Sequence, residues 1–246
     1  MEQRSPEWYQ ARCGRITGTR LAAAMATMGS STYQSLIDQL VSERRFGARA
    51  DRAPTPAMQW GIDHEAAART WYSQQSGNHV EIVGFVRHRS LQFVGVSPDG
   101  FVGNRGLVEI KCPQVKAYRE TVTRGRIPAR YIWQVQGQLW VCERDFADFV
   151  CFHPNLGGLV IRTQRDEDRI NRLQERCQQI EREVQRCLAA SHAQPKTAPM
   201  QGGTSRRAPA LNVADHLPQS ASHRLSNVPW WVWVAAAVAA WFWLAH

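Results

Sequence analysis

The sequence predicts an α/β fold in which helices flank a β-sheet. Two observations support this class. Segments with helical spacing of apolar residues lie on both sides of a region of short apolar runs, and those short runs are rich in β-branched and aromatic residues. A chain of 246 residues without an apparent internal repeat fits one such domain followed by a tail.

The helices are expected at residues 17–28, 33–45, 60–76, 128–141 and 167–190. The strands are expected at residues 80–86, 93–97, 107–112 and 146–153. In the last helix, apolar residues recur at three- and four-residue steps and form one stripe. We expect this stripe to pack against the sheet, with a coiled-coil seam as the alternative.

One candidate site stands out near the middle of the chain. Asp99 lies in a Pro-Asp-Gly segment that predicts a turn, ten positions before Glu109 in a Glu-Ile-Lys tripeptide. Because residues 107–112 alternate between apolar and polar, Glu109 and Lys111 should project from the same face of a strand. Two carboxylates and an amine would then meet, which is a ligand set suited to Mg²⁺. A surface turn followed by an amphipathic strand is the alternative interpretation.

This combination of residues suits the hydrolysis of a phosphodiester. The substrate repels hydroxide and its leaving group is poor, and divalent ions answer both problems by activating water and stabilising developing negative charge. Lys111 would hold or deprotonate the attacking water.

Further segments narrow the interpretation. They are Ser5–Arg12, Gly14–Thr19, Trp60–Glu65, Ser97–Gly100, Glu109–Pro113 and Tyr131–Gln136. Taken in this order, they resemble the lambda-exonuclease-type viral recombinases, also called the YqaJ family, within the PD-(D/E)XK nucleases. The resemblance extends from Ser5 to about Leu188 and leaves the C-terminal tail unexplained.

The resemblance implies a PD-(D/E)XK restriction-endonuclease-like fold, with a central mixed β-sheet flanked by helices. It implies an exonuclease that digests linear double-stranded DNA from 5′ ends and leaves 3′ single strands for a single-strand annealing protein. It further implies a ring-shaped homotrimer, and a phage or prophage protein in the cytoplasm of a bacterial host. Two Mg²⁺ ions are expected, with Mn²⁺ as a substitute.

Specific roles follow by position. The resemblance implies metal binding by Asp99, Glu109 and the main-chain carbonyl of Ile110, catalysis by Lys111, Glu65 and Gln134, and 5′-phosphate binding by Arg12 and Thr19. The family often has Thr-Ala-Ser where this chain has Thr17-Gly-Thr19, so the hydroxyl is kept but a glycine is introduced. Structural alternatives stay open: Glu65 as a partner of a helix dipole, Gln134 as a buried amide and Arg12 as a surface arginine.

The net charge of +9 favours a polyanionic partner. The candidates for duplex contacts are Arg87, His88, Arg89, Arg124, Arg126, Arg130 and Tyr131. Contacts to phosphate position a protein without reading the base sequence, so little sequence preference is expected. Six cysteines without a Cys-x-x-Cys pair predict a reduced, cytoplasmic protein, and Cys112 should be a small core residue.

The C-terminal part has a different composition. Residues 1–190 are expected to form the nuclease domain, residues 191–227 a flexible linker, and residues 228–245 a hydrophobic, Trp-flanked helix. That last segment is long enough to cross most of a bilayer, which predicts a tail anchor in the inner membrane. Docking on a subunit or partner protein is the alternative.

Two other functions compete with the exonuclease. One is an endonuclease of the same fold, of restriction or repair type. The other is a non-catalytic, membrane-tethered DNA-binding protein.

Overall fold

The domain contains two β-sheets, and the candidate site lies where the chain passes from one sheet to the other. The computed structural model describes residues 1–47 and 53–193, and the side chains up to residue 190. The helices are α1 Pro6–Arg12, α2 Leu21–Ala24, α3 Ser31–Phe46, α4 Pro56–Ser76, α5 Val115–Arg124, α6 Ala129–Val141 and α7 Glu167–Ala193. The strands are β1 Ile16–Thr17, β2 Val80–Glu81, β3 Val86–Arg87, β4 Val94–Val96, β5 Gly100–Val102, β6 Gly106–Lys111, β7 Phe146–His153 and β8 Gly157–Gln164.

The larger sheet is mixed, as the resemblance implies. Its strand order is β2-β5-β6-β7-β8, and the smaller sheet has the order β1-β4-β3. In the larger sheet β6 pairs in parallel with β7, whereas the other pairs are antiparallel. Strand β6 therefore has a hydrogen-bonded neighbour on each side, and its first five residues are buried. A strand enclosed in this way holds its side chains in fixed positions.

Local sequence signals explain where the long helices begin and end. Ser30 and Thr55 cap α3 and α4 by accepting backbone N–H bonds, and Pro56 occupies the first turn of α4. Gly47 and Gly77 end these helices in the left-handed conformation that glycine adopts without strain.

Several predicted elements are wrong in detail. The helix predicted at residues 17–28 is instead β1, a 3₁₀ turn at Gly18–Arg20 and the short α2, because Thr17 pairs with Gly95 in a sheet. The strand predicted at residues 80–86 is two strands, β2 and β3, which belong to different sheets. The elements α1, α5, β5 and β8 were not predicted.

The last helix packs mainly against other helices, which corrects the expectation that it covers the sheet. Its stripe of Ile170, Leu173, Cys177, Ile180 and Val184 shares a buried cluster with residues of α2, α3 and α6. Ion pairing adds to this contact, since Arg44 on α3 binds Glu181 on α7 at 2.7 Å. The smaller sheet contributes the buried residues Ile16, Val94 and Val96 and the partly buried Val86.

Helix α7 continues to Ala193, three residues into the linker predicted at residues 191–227. All of residues 194–246, which include the segment 228–245, lie outside the described residues. Within the described ranges, no helix combines the length and the apolar character needed to cross a bilayer.

Candidate active site

Strand β6 brings Glu109 and Lys111 together on one face, as the alternation predicts. The Nζ atom of Lys111 donates a hydrogen bond to Oε1 of Glu109 at 2.5 Å. Cys112 packs with Ile110 in a cluster on the other side of the sheet, which confirms its prediction as a core residue. Glu109 is only 1% exposed, so its charge must be compensated by the protein around it.

Asp99 joins this pair from the bend between β4 and β5. This bend carries the chain from the smaller sheet to the larger one. The N–H of Asp99 donates to the carbonyl of Val108 at 3.2 Å, and Oδ2 of Asp99 accepts the N–H of Ile110 at 2.6 Å. Asp99 is thereby attached to β6 beside Glu109. The structure thus brings the side chains of residues 99, 109 and 111 together.

The electrostatics of the site reflect an excess of carboxylates. Burial raises the pKa of Asp99 well above its usual value, and the negative charges of Glu109 and Glu65 raise it further, against the opposing effect of Lys111. For Lys111, burial lowers the pKa, but the carboxylates of Glu109 and Asp99 outweigh that effect and the pKa rises. The two carboxylates thus stabilise the charged form of the Lys111 amine.

Helix α6 supplies two amides that orient Glu109. Gln134 donates to Oε1 at 2.5 Å, and Gln138 donates to Oε2 at 2.6 Å. Gln138 was not predicted, although its position one helical turn after Gln134 was a usable signal. Gln136 faces elsewhere, because it donates to the carbonyl of Gln164 and accepts the N–H of Asp166.

Glu65 lies close enough to influence Asp99 but has its own cationic partners. Its Oε1 accepts from Arg69 and its Oε2 from Arg4, each at 2.6 Å. The alternative that Glu65 favours a helix dipole is wrong, because α4 begins at Pro56 and Glu65 lies in its interior. Arg69 was predictable from its spacing of four residues from Glu65, whereas no sequence signal indicated Arg4.

The two predicted 5′-phosphate residues lie on different elements near the small sheet. Arg12 is 6% exposed, stacks on the ring of Trp8 at 4.0 Å and donates to the hydroxyl of Ser97 at 3.3 Å. Its interpretation as a surface arginine is therefore wrong. Ser97 is two residues before Asp99, so Arg12 borders the carboxylate site. Thr19 is exposed in the 3₁₀ turn, with its hydroxyl 3.4 Å from that of Thr17.

The other predicted DNA contacts fall in two separate places. Arg87 and Arg89 are exposed at β3 and just beyond it. Arg124, Arg126 and Arg130 line a groove of about 340 Å³ between α5 and the start of α6. The ring of Tyr131 connects this groove to the carboxylate site, because the Cζ atom of Arg130 lies 4.7 Å and the Nζ atom of Lys111 lies 5.2 Å from its centroid.

The donor set fits a hard divalent cation. Asp99 and Glu109 offer carboxylate oxygens at one place on β6, where a single ammonium group, that of Lys111, faces the two of them. Nowhere in the described part of the chain do three or more His, Cys, Asp or Glu side chains lie together so as to share a metal ion. This is compatible with Mg²⁺, which commonly takes one or two carboxylates and completes its shell with waters and substrate phosphate.

Comparison with known proteins agrees with this geometry. Residues 7–145 match the YqaJ-like viral recombinase domain. The chain is 31% identical to an alkaline exonuclease, LHK-Exo, from Laribacter hongkongensis, with a TM-score of 0.72 over 76% of this chain and 96% of that one. The crystal structure of LHK-Exo in complex with dAMP gives the same coverage and TM-score at 30% identity.

Two more distant similarities extend the comparison. A phage-related exonuclease from Haemophilus somnus 129PT shares the fold, with a TM-score of 0.58 at 15% identity over 72% of this chain and 96% of that one. An uncharacterized protein of Acanthamoeba polyphaga mimivirus is 27% identical over 165 residues, which are 61% of this chain but only 29% of that protein. Because the domain match covers more than half of the sequence, the chain belongs to the YqaJ-like viral recombinase domain family.

Proposed function

We propose that the protein is a metal-dependent exonuclease that digests one strand of linear double-stranded DNA from its 5′ end. The observation that carries the proposal is the gathering of Asp99, Glu109 and Lys111 on and beside β6, with an excess of negative charge. Family membership and the likeness to an alkaline exonuclease support the same activity.

Asp99, Glu109 and the main-chain carbonyl of Ile110 would hold the metal. Mg²⁺, as one or two ions, is the proposed cofactor, with Mn²⁺ as a substitute. Bound there, a divalent ion would lower the pKa of a water molecule and stabilise the charge that develops on phosphate oxygens.

The side chains around the metal ligands have separate tasks in this proposal. Lys111 holds the attacking water and adds positive charge next to the phosphate. Gln134 and Gln138 fix the carboxylate of Glu109, whose two oxygens they bind. Glu65 contributes negative charge at the edge of the site, where it influences Asp99.

DNA binding would use the surrounding cations. Arg12, with Thr19 nearby in sequence, is proposed to bind the 5′-phosphate of the DNA end. Two further sets of residues would contact the backbone without reading bases. These sets are Arg87 and Arg89 on one side, and Arg124, Arg126 and Tyr131 on the other.

Family membership also supports proposals about partners. The product would be a 3′ single strand that a single-strand annealing protein pairs during recombination, and a homotrimeric ring around DNA would give processivity. Anchoring by residues 228–245 remains a prediction from hydropathy, and a cytoplasmic location in a bacterial host remains a prediction from the resemblance and the cysteine pattern. Fractionation of cells that express the full chain, or a chain ending at Asn227, tests the anchor; full-length protein in the soluble fraction contradicts it.

A time course on linear duplex DNA labelled separately at its 5′ and 3′ termini tests the activity. With Mg²⁺, early release of the 5′ label and persistence of the 3′ label are expected, and a chelator should stop both. Covalently closed circular DNA should remain intact. Cleavage of the circle would favour the endonuclease, and the absence of cleavage on all substrates would favour a non-catalytic DNA-binding protein.

A further inference from the structure

The first residues of the chain contact the edge of the candidate active site. Nε2 of Gln3 donates to the carbonyls of Val83 and Pro98, each at 2.9 Å, and Pro98 directly precedes Asp99. Met1 lies against Gly84 so closely that a Cβ atom on Gly84 would be 2.2 Å from the Met1 carbonyl oxygen. Gln3 thereby ties the segment that precedes β3 to the residue that precedes Asp99.

Arg4, the next residue, has a strained backbone. Its φ angle is 70°, in the left-handed region that residues with a side chain rarely adopt. Backbone strain of this kind persists where the surroundings impose it, and it is concentrated at functional sites. In this chain the contacts of Gln3 on one side and the capped start of α1 at Ser5 on the other impose it.

The strained residue directs a guanidinium to the active-site edge. Nη2 of Arg4 binds Oε2 of Glu65 at 2.6 Å, and the side chain of Arg4 is 42% exposed, against 19% for Arg69. Among the described residues, Glu65 is the one hydrogen-bond acceptor of the Arg4 side chain. Its remaining N–H groups therefore stay open to solvent beside the site.

The charges around Glu65 indicate which ligand the open N–H groups of Arg4 could bind. Glu65 already has Arg69 as a partner on the same helix, so the addition of Arg4 leaves two guanidinium groups on one carboxylate. Glu65 alone therefore does not neutralise both guanidinium groups, and the extra positive charge lies at the edge of a centre where Asp99 and Glu109 face one ammonium group, that of Lys111. A phosphodiester carries one negative charge, and the planar guanidinium fits its oxygens in a bidentate manner.

We propose that Arg4 binds an internucleotide phosphate of the strand being cleaved, close to the scissile linkage, and that Glu65 holds the guanidinium in place for this contact. The proposal rests on the proposed function and adds a phosphate site separate from Arg12. Arg12 reaches the site from the other end of α1, where it binds Ser97. The two arginines would then hold two phosphates of the same strand, one at the end and one within it.

A double-mutant cycle between protein and DNA tests this contact. Full-length wild type and Arg4→Asn are titrated with 5′-phosphorylated duplexes in EDTA, so that binding is measured without metal. Each duplex carries one uncharged methylphosphonate, at the first, second or third linkage from the 5′ end. Asn tolerates the left-handed conformation, so the variant should remain folded, which its thermal unfolding checks.

One methylphosphonate position should weaken binding to the wild type by about tenfold, the usual size of a lost charge-assisted hydrogen bond. The same position should weaken binding to Arg4→Asn by less than about twofold, because the partner is already missing. Arg105→Asn is the matched control, since Arg105 also pairs with a carboxylate, Asp145, but is 80% exposed at the opposite end of β6. It should behave as the wild type does.

Equal losses for wild type and Arg4→Asn at every position would overturn the proposal. Should Arg4→Asn prove unstable, Arg4→Lys takes its place, because it keeps a charge for Glu65 but lacks the planar fork. For Arg4→Lys, the same methylphosphonate should weaken binding by about threefold. A loss as large as that of the wild type would overturn the proposal. Cleavage of DNA in EDTA would instead contradict the proposed metal dependence of the nuclease. This outcome is detected separately from the binding measurements of the double-mutant cycle.

Discussion

Two buried carboxylates on neighbouring strands differ in what surrounds them. Asp148 on β7 and Glu109 on β6 are 2% and 1% exposed. Asp148 accepts two bonds from Arg162, each at 2.8 Å, and one from the hydroxyl of Tyr72 at 2.6 Å. Glu109 accepts from one cation, Lys111, and from two neutral amides, with Asp99 close by. The first centre is balanced in charge and the second has an excess of negative charge.

Burial of a carboxylate therefore does not by itself indicate catalysis. The register places Val108 opposite Asp148 and Phe149 opposite Glu109, so the two carboxylates project from opposite faces of the sheet. On one face, a fork of guanidinium donors closes the centre and stabilises the fold. On the other, the unbalanced charge next to Asp99 leaves a role for a cation from outside the chain.

The largest expected effect is the loss of cleavage in Glu109→Gln or Asp99→Asn. Each should lower the rate on linear duplex DNA by about 10³-fold, the scale on which loss of a transition-state electrostatic contact acts. DNA affinity should be kept, because the change removes negative charge. Initial rates with Mg²⁺ and binding in EDTA measure the two quantities. A Glu109→Gln variant that keeps its cleavage rate would show that Glu109, like Asp148, is not needed for catalysis.

Asp148→Asn should act on stability instead. The change leaves Arg162 and Tyr72 without their anionic partner. Because the side chain of Arg162 is 51% exposed, water solvates part of the freed charge, and the cost should be about 1–3 kcal/mol in the free energy of unfolding. Urea unfolding measures it, and cleavage per folded molecule should be unchanged. Asp145→Asn is the matched control, because Asp145 is 48% exposed in its pair with Arg105 and should cost less than about 1 kcal/mol.

The amides of α6 allow a finer test on one helix. Gln138→Leu removes a donor to Glu109 and should lower activity or metal affinity by about 10- to 100-fold, as the loss of partners to metal ligands does. Gln136→Leu breaks bonds to Gln164 and Asp166 and should lower only the unfolding free energy. Isothermal titration with Mn²⁺ and urea unfolding separate the two outcomes. Equal effects of both changes on activity would show that α6 acts only as a scaffold.

The smallest effect concerns the choice of DNA ends. Arg12→Ala should reduce the preference for 5′-phosphorylated over 5′-hydroxyl ends by about tenfold, because a charge-assisted contact is lost. Digestion rates on the two ends give the ratio. Arg15→Ala is the control, since Arg15 binds the carbonyls of Ala11 and Gln92 and should leave the ratio unchanged. An equal loss on both ends for Arg12→Ala would contradict its role.

The sequence was most informative where local pattern and geometry coincide. The alternation at residues 107–112 predicted that Glu109 and Lys111 share a face, and the long periodic segments predicted α3, α4, α6 and α7 nearly in place. Helix spacing could also have identified Gln138 and Arg69 from Gln134 and Glu65.

Other features depend on contacts between distant parts of the chain. Asp148 and Arg162 lie on paired strands, and their face becomes clear only once the register is known, particularly since β8 itself was missed. Thr17 begins a segment rich in alanine, yet its pairing with β4 overrides local helical preference. Arg4 reaches Glu65 across 61 positions, which no local pattern indicates.

Asp99 and Glu109 are proposed to bind the divalent ion on which hydrolysis of DNA depends. Anomalous diffraction from crystals soaked in Mn²⁺ locates such an ion. We expect a peak about 2.1 Å from a carboxylate oxygen of each residue, absent in crystals of Asp99→Asn. Mn²⁺ peaks only at other places, or none in crystals that still digest the DNA diffused into them, would contradict this proposal.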